Sequence, residues 1–150
     1  MKLLLQRVLE ASVSVEGEEI SRIGRGLLLF AAVEKGDGEE LPQRAASKVA
    51  GLRIFPDAQG KTNLSLREVG GAVLVVSQFT LAADLRKGFR PSFGNAEIPA
   101  RAEGMCEALC RHLEEEGIPV GRGRFAADMK VALVNDGPFT IWLEFSSKEA

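Results

Sequence analysis

Two continuous apolar runs constrain the fold of this chain most, because a strand without polar positions is covered on both faces. The first run reads GLLLFAAV (residues 26–33) and the second reads GGAVLVV (residues 70–76). Each begins at one or two glycines that suit a tight turn, so both runs favour central strands of a sheet. Shorter strand patterns surround them, at residues 13–15, 17–26 and 119–145.

Two amphipathic helices are predicted from apolar residues that recur every three or four positions. The first helix ends near Gly51, and the second runs from Ile98 to Gly117. The apolar face of the second helix includes both cysteines of the chain, Cys106 and Cys110. We interpret these cysteines as small core residues.

These patterns predict a single domain that spans residues 1–150 and belongs to the α+β class. We expect about seven or eight strands, mostly antiparallel, in a strongly twisted, barrel-like sheet with two main helices packed outside. The segment DLRKGFRPSFGNAE (residues 84–97) shows no strand or helix pattern. A loop of this length in a compact domain is more often functional than idle.

The charge balance limits the partners of the protein. A formal net charge of −2 argues against a globally basic nucleic-acid binder. Two local basic segments remain, RKGFR (residues 86–90) and RGRFAADMK (residues 122–130). No apolar run approaches the ~20 residues of a membrane-spanning helix, and Gln6 and Arg7 interrupt the apolar start where a signal peptide would lie. We therefore expect a cytoplasmic protein without membrane contact.

Two short motifs suggest a cofactor or a metal, and both are incomplete. Gly60-Lys61-Thr62 resembles the end of a P-loop, but Phe55 stands where the pattern requires a glycine. No second Cys or His pair joins the two cysteines to complete a metal site. We therefore expect neither a cofactor nor a metal.

Polar residues cluster at the end of the second apolar run, in SQFT (residues 77–80). A hydroxyl is a poor nucleophile unless a base takes its proton, and the one histidine, His112, lies on the second predicted helix. A serine esterase that uses His112 is therefore the weaker alternative. Backbone groups offer another chemistry: N–H groups near Phe79 and Thr80 can form an oxyanion hole, and Gly137-Pro138 can present carbonyl groups.

The motifs SQFTL (residues 77–81), RPSF (residues 90–93), GRFAADMKVALV (residues 123–134) and NDGPFT (residues 135–140) occur in this order. On these motifs, and over nearly its whole length, the chain resembles the D-aminoacyl-tRNA deacylases, which include the D-tyrosyl-tRNA deacylases. The resemblance implies a hydrolase that cleaves the ester between a D-amino acid and the 3′ end of tRNA. It also implies a homodimer with its active sites at the interface, in which a cis Gly137–Pro138 bond reaches into the partner's pocket.

The resemblance further implies which residues bind the substrate. The carbonyls of Gly137 and Pro138 would receive the α-ammonium and leave no space for an L side chain, so glycine would also pass this filter. Placing an apolar side chain against unpaired carbonyls costs ~1–3 kcal/mol in addition to the clash. The other substrate-binding residues would be Asn135, Arg7, which supports the Gly-Pro loop, and Phe125 and Met129, which wall the pocket for the terminal adenosine.

The implied catalytic residues are Ser77, Gln78, Phe79 and Thr80. The backbone N–H groups near Phe79 and Thr80 would stabilise the developing oxyanion. No base is evident for Thr80, so we favour attack by a water molecule, helped by the terminal ribose hydroxyl, over attack by Thr80. A non-catalytic RNA-binding module with a degenerate pocket is a second alternative, and tRNA would still be its partner.

The last predicted strand has two apolar faces. Phe139, Ile141, Leu143 and Phe145 line one face, and Trp142 lies on the other. The face of Trp142 should then also be covered, which is consistent with a second copy of the chain or with a helix of the same chain.

Overall fold

A computed structural model of the protein describes residues 1–147. The described residues form eight strands, three α-helices and one 3-10 helix. In chain order these are β1 (Lys2–Val15), β2 (Glu18–Ile23), β3 (Gly26–Ala32), α1 (Leu41–Gly51), β4 (Arg53–Pro56), β5 (Thr62–Ser65), α2 (Leu66–Val69), β6 (Ala72–Ser77), the 3-10 helix (Phe79–Ala82), α3 (Pro99–Glu115), β7 (Val120–Arg122) and β8 (Met129–Glu144).

Strand β1 organises the main sheet because it pairs along its whole length. On one edge, β8 runs antiparallel to it from Lys2–Glu144 to Val15–Met129. On the other edge, β3 pairs with the first half of β1 and β2 with the second half, both antiparallel. The sheet then continues from β3 to β6 and β7, while β4 and β5 form a separate two-stranded sheet.

The sheet is mixed, so the prediction of a mostly antiparallel sheet was wrong. Strands β3 and β6 are parallel, and so are β6 and β7. Each of these pairs is joined by a long crossover that contains a helix, and parallel neighbours need such a connection. The α+β class and the barrel-like curvature of the sheet are confirmed, as are the two main helices, α1 and α3. The four-residue helix α2 was not predicted.

The two apolar runs form β3 and β6, and both faces of these strands are buried. Leu27, Leu29, Val73 and Val75 point to a large core under α1 and α3. The alternate residues Leu28, Leu74 and Val76 belong to a second core on the opposite face of the sheet, which β2 and β8 help to close. Each fully buried Leu or Val contributes roughly 1.5–3 kcal/mol, so these strands anchor the fold.

Gly26 shows how closely β3 and β6 approach each other. A Cβ atom at this position would lie 1.8 Å from the carbonyl oxygen of Ala72, which is a backbone atom that cannot rotate away. The glycine at the start of the first apolar run is therefore required by strand packing.

Strand β8 has the two faces that its sequence predicted. Phe139, Ile141, Leu143 and the following Phe145 pack against the large core. Trp142 on the opposite face leaves 45% of its surface exposed, as does Val134 farther along the strand. In residues 1–147 no further strand covers this face. None of the helices formed by those residues is long and apolar enough to cross a membrane.

Candidate active site

A cavity of about 660 Å³ opens where β6 ends. Its volume lies within the range of small-molecule sites. One wall comes from the end of β6 and the 3-10 helix, a second from the start of α3, and a third from the segment that leads into β8. The lining residues include Ser77, Gln78, Phe79, Phe93, Ile98, Ala102, Phe125 and Met129.

The start of the 3-10 helix presents free hydrogen-bond donors beside this cavity. Gln78 is held by its own N–H group, which donates to the carbonyl of Ala31 at 2.8 Å. The next two N–H groups, of Phe79 and Thr80, begin the helix and have no acceptor among residues 1–147, as expected for a helix start. Two adjacent N–H groups of this kind can stabilise negative charge on a carbonyl oxygen.

The hydroxyl of Thr80 is exposed, and Gln78 Nε2 donates a hydrogen bond to its Oγ1 at 2.5 Å. This contact orients the hydroxyl but takes no proton from it. The histidine of the chain lies elsewhere: His112 Nδ1 is 3.1 Å from Glu115 Oε2 on α3, and His112 does not line the cavity. The geometry therefore does not support the serine esterase that would use His112 as its base.

Other titratable side chains also line the cavity, among them Glu97, Cys106 and Asp128. Asp128 pairs with Lys130 Nζ at 3.1 Å. Glu97 has a pKa below its ordinary value because the N–H group of Ile98 donates to it at 2.8 Å and Arg101 at 2.7 Å. Burial raises the pKa of the Cys106 thiol to about 12 and that of Cys110 to about 11, so both stay protonated near neutral pH. Both cysteines are buried core residues, as predicted.

The Gly-Pro pair lies in a bulge of β8, and the Gly137–Pro138 bond is cis, as predicted. Gln6 on β1 faces Thr140, whereas Val8 faces Asn135. The four residues Asp136–Phe139 therefore stand opposite the single residue Arg7. Gly137 and Pro138, in the middle of the bulge, are exposed.

Arg7 contacts both the bulge and β4, and its Nε lies 3.6 Å from the carboxylate of Asp136. Its Nε donates to the carbonyl of Asp136 at 2.9 Å, and its Nη1 donates to the carbonyl of Ile54 at 2.7 Å. The guanidinium also lies 4.6 Å from the centre of the Phe139 ring. Arg7 thus connects the bulge to β4, the strand that contains Ile54.

Asn135 closes the same bulge with its side-chain amide. Its Oδ1 accepts from the N–H group of Phe139 at 2.9 Å. Its Nδ2 donates to the carbonyl of Phe139 at 3.1 Å and to that of Arg7 at 3.3 Å. An acceptor and a donor are needed at the same time, and an amide provides both.

The two parts of the predicted site lie apart within one chain. Ser77, Gln78, Phe79, Phe125 and Met129 line the cavity, and Thr80 follows directly. The bulge residues Asn135, Gly137 and Pro138 do not line it, and neither does Arg7. The catalytic and binding roles of all these residues remain predictions.

Several residues that line the cavity could not be predicted from the sequence. Phe93 contacts Phe79 edge-on, with 5.1 Å between ring centres. Lys35, Ile98, Pro99 and Ala102 also line the cavity. Phe93 belongs to the motif RPSF and to the long loop of residues 84–97, which ends at this wall, whereas no motif pointed to Lys35 or Ala102.

The two basic segments differ in how far their charges are compensated. Arg122 pairs with Glu107 and Glu114, and Lys130 pairs with Asp128. In the first segment Arg86 pairs with Asp84, whose pKa it holds at about 2, yet 86% of the Arg86 side chain is exposed. This segment therefore presents more free positive charge than the second.

Comparison with known proteins finds a family model and relatives that are all described as tRNA deacylases. A family model described as D-Tyr-tRNA(Tyr) deacylase matches residues 4–144. The chain is 56% identical to a D-aminoacyl-tRNA deacylase of Magnetococcus marinus over 150 residues, which cover 99% of each chain. It is 55% identical to the protein of the same name from Aeromonas hydrophila, over 94% of this chain and 97% of the relative.

Two solved structures share the fold. A c-Myc DNA unwinding element binding protein superposes with a TM-score of 0.91 at 36% identity and covers 98% of this chain and 100% of its own. A probable eukaryotic D-amino acid tRNA deacylase superposes with a TM-score of 0.83 at 17% identity, over 95% and 97% of the two chains. At 17% identity the second match shows the fold alone.

The amide of Asn135 gives a direct test of how the bulge is held. We expect Asn135→Asp to lower the free energy of unfolding by ~2 kcal/mol, because a carboxylate oxygen would replace Nδ2 and face two carbonyl oxygens. The measurement is urea unfolding at pH 7 and at matched protein concentration.

Gln6→Glu is the matched control, since it makes the same chemical change on the neighbouring strand. Gln6 Nε2 donates to Thr140 Oγ1, and a hydroxyl can donate in return to a carboxylate. We expect a change within ~0.5 kcal/mol. Equal stability losses for the two variants would contradict a specific role of Asn135 in the bulge.

Proposed function

Since the chain belongs to the D-Tyr-tRNA(Tyr) deacylase family, we propose that it hydrolyses the ester between a D-amino acid and the 3′ end of tRNA. The products are the free D-amino acid and the uncharged tRNA. The observation that carries the proposal is the pair of free N–H groups, of Phe79 and Thr80, beside a cavity of suitable size. We expect the reaction to take place in the cytoplasm, where tRNA is charged and used.

The proposed chemistry places the ester carbonyl against these two N–H groups. A water oxygen adds to the carbonyl carbon, and the carbonyl oxygen becomes an oxyanion that accepts both hydrogen bonds. The ester bond then breaks, and the ribose oxygen leaves with a proton that the water supplied. Removal of one such donor in other hydrolases costs about 10²–10³ in rate, so the strand end would contribute a large share of catalysis.

The substrate itself would assist the proton transfer. Among residues 1–147 the two carboxylates that line the cavity are already engaged, since Glu97 accepts from two donors and Asp128 pairs with Lys130 at 3.1 Å, and His112 lies elsewhere. The free hydroxyl of the terminal ribose is adjacent to the ester and can relay the proton. Thr80 then serves to position groups at the cavity rather than to attack.

Selection for the D configuration would come from the carbonyls of Gly137 and Pro138. An α-ammonium can donate to both carbonyls. An L-residue with its ester in the same place would direct its side chain at them, which costs ~1–3 kcal/mol for the unpaired carbonyls in addition to the clash. Glycine has no side chain to exclude, so its ester should also be hydrolysed.

A second copy of the chain would bring the two parts of the site together. The bulge is exposed and does not line the cavity of its own chain. The exposed apolar side chains Leu9, Val134 and Trp142 lie on β1 and β8, near the bulge, and would be covered in a dimer. In a twofold dimer each bulge would enter the other copy's cavity.

The adenosine of the tRNA terminus would lie against Phe125 and Met129. Both residues line the cavity, and the N–H group of Arg124 contacts Met129 Sδ at 3.4 Å, which holds the thioether in place. An aromatic ring and a polarizable sulfur suit the face of a base.

The substrate range tests both the reaction and the carbonyl mechanism. We expect the protein to release the amino acid from D-tyrosyl-tRNA and from glycyl-tRNA, and to spare L-alanyl-tRNA. The measurement follows the radiolabelled ester in each tRNA over time at the same enzyme concentration.

Each other result has a distinct meaning. If glycyl-tRNA survives while D-tyrosyl-tRNA is stripped, the pocket recognises a D side chain and exclusion by carbonyls is the wrong mechanism. If no ester is cleaved although tRNA binds, the chain is the RNA-binding module. If the protein hydrolyses small esters without tRNA, and His112→Ala abolishes that activity, the protein is a serine esterase.

Removal of the Thr80 hydroxyl tests whether this residue is the nucleophile. We expect Thr80→Ala to reduce kcat for D-tyrosyl-tRNA by less than ~10-fold, because the backbone N–H group remains, and Thr80→Ser to behave like the parent. A loss of ~10⁴-fold in the alanine variant that serine rescues would identify Thr80 as the nucleophile.

The shared site predicts complementation between two inactive variants. Ala102→Trp fills the cavity, and Gly137→Val disrupts the bulge, where a Cβ atom would lie 2.7 Å from the Phe139 nitrogen. In a refolded equal mixture, half of the dimers are mixed and each mixed dimer holds one intact site. We therefore expect activity to return to about a quarter of the parent level.

Sedimentation supplies the control for this mixture. The parent and both variants should have twice the chain mass at micromolar concentration, and each variant refolded alone should stay inactive. Mixed dimers without activity, or an active monomer, would rule out the cross-subunit site.

A further inference from the structure

A compact loop beside the cavity is not used by the proposed chemistry. Two backbone hydrogen bonds between Asp84 and Ser92, at 2.7 and 3.0 Å, close the segment LRKGFRP (residues 85–91), which we call the basic loop. Asp84 also accepts from the N–H group of Arg86 at 3.0 Å, which shapes the turn. All seven residues of the basic loop are exposed.

The basic loop combines an aromatic side chain with positive charge. Phe89 is fully exposed, and so contributes nothing to the core of its own chain. Lys87 and Arg90 have no acidic partner among residues 1–147, and Arg86 remains largely exposed despite its pair with Asp84. An exposed aromatic ring between cations is how proteins bind single-stranded nucleic acid, since bases stack on the ring and phosphates meet the cations.

The position of the loop ties it to the cavity. Phe93 follows the closing residue Ser92 and contacts Phe79 edge-on, and both rings line the cavity. A chain that leaves the cavity on this side passes the basic loop next. Because the terminal adenosine is proposed to occupy the cavity, the nucleotides before it would meet the loop.

We propose that the basic loop binds the unpaired nucleotides that precede the terminal adenosine of the tRNA, with Phe89 stacked on a base and Lys87 and Arg90 on phosphates. This inference rests on the proposed function and adds the mode of RNA recognition. The two nucleotides directly before the terminal adenosine are the same in every tRNA, so contacts of the loop with them raise affinity for all tRNAs alike and leave the choice of amino acid to the cavity. RNA carries one negative charge per nucleotide, whereas this chain carries a net charge of only −2 over 150 residues. The positive charge of the loop therefore favours RNA over a second copy of the chain.

The test compares two substrates that differ only in the RNA. D-tyrosyl-tRNA carries the preceding nucleotides, whereas D-tyrosyl-adenosine ends at the cavity. We expect Phe89→Ala to raise KM for D-tyrosyl-tRNA by ~10-fold with little change in kcat, and to leave hydrolysis of D-tyrosyl-adenosine unchanged. Phe89→Trp keeps a stacking surface and should match the parent, and Leu85→Ala is the control for loss of an exposed apolar side chain from the same loop.

The contribution of Lys87 and Arg90 can be measured separately, through the salt dependence of KM. Each phosphate contact contributes about 0.7 to the salt slope of single-strand binding, so replacing both Lys87 and Arg90 by alanine should reduce the slope of log KM against log salt by about 1.4. The slope for D-tyrosyl-adenosine, which lacks these phosphates, should stay flat in every variant.

Binding of uncharged tRNA keeps the test independent of catalysis. Phe89→Ala should weaken binding of full-length tRNA by ~10-fold and leave binding of the same tRNA without its unpaired 3′ nucleotides unchanged. If the parent cleaves neither substrate, the proposed function fails. The binding comparison then still tests whether the basic loop binds the unpaired 3′ nucleotides.

Three results would overturn the inference. Equal losses on D-tyrosyl-tRNA and D-tyrosyl-adenosine would mean that the loop shapes the cavity. No loss on either substrate or in tRNA binding would mean that the loop does not contact RNA. A shift of Phe89→Ala to a monomer in sedimentation would mean that the loop contacts a second copy of the chain.

Discussion

The bulge of β8 opposite Arg7 is the feature on which the arrangement of this protein depends. Four residues of one strand face a single residue of its neighbour, so the regular ladder cannot pair their backbone groups. At the two ends of the bulge, the backbone groups of Asp136 and Phe139 pair with the side chains of Arg7 and Asn135 through hydrogen bonds of 2.9 to 3.1 Å. The middle of the bulge, Gly137 and Pro138, is exposed. Backbone carbonyls held in an exposed bulge are what the proposed chiral selection requires.

The other part of the site is held by the same strand system. β1 pairs with β8 on one edge and with β3 on the other, and the carbonyl of Ala31 at the end of β3 accepts the N–H group of Gln78. The donors at the start of the 3-10 helix are thus held by a backbone hydrogen bond to β3, and the bulge is held by the side chains of Arg7 and Asn135. Groups that do not move on reaction stabilise charge without reorganisation, which suits a site whose described residues present no activated side chain.

Much of this architecture could be predicted from the sequence, and the failures have physical reasons. Apolar periodicity located both main helices and both central strands, because burial on one or two faces leaves a direct pattern. The direction of β6 relative to β3 leaves no such pattern, since strand side chains alternate in the same way in either direction. The wall formed by Ile98 and Ala102 was missed because periodicity shows which face of a helix is apolar but not that the first turn borders a cavity. The paired motifs identified the site itself only through resemblance.

The absence of an activated side chain from the described part of the cavity has a consequence for selectivity. A site that used a side-chain nucleophile would need to align each substrate to that one atom, and bulky amino acids would compete with the alignment. Here the proposed contacts reach only the atoms that every aminoacyl ester shares: the carbonyl oxygen at Phe79 and Thr80, and the ammonium at Gly137 and Pro138. The arrangement around Cα is the remaining variable, and it alone decides whether a side chain meets the carbonyls. Rejection by configuration and tolerance of side-chain size therefore follow from the same geometry, and neither requires the protein to read which amino acid is bound.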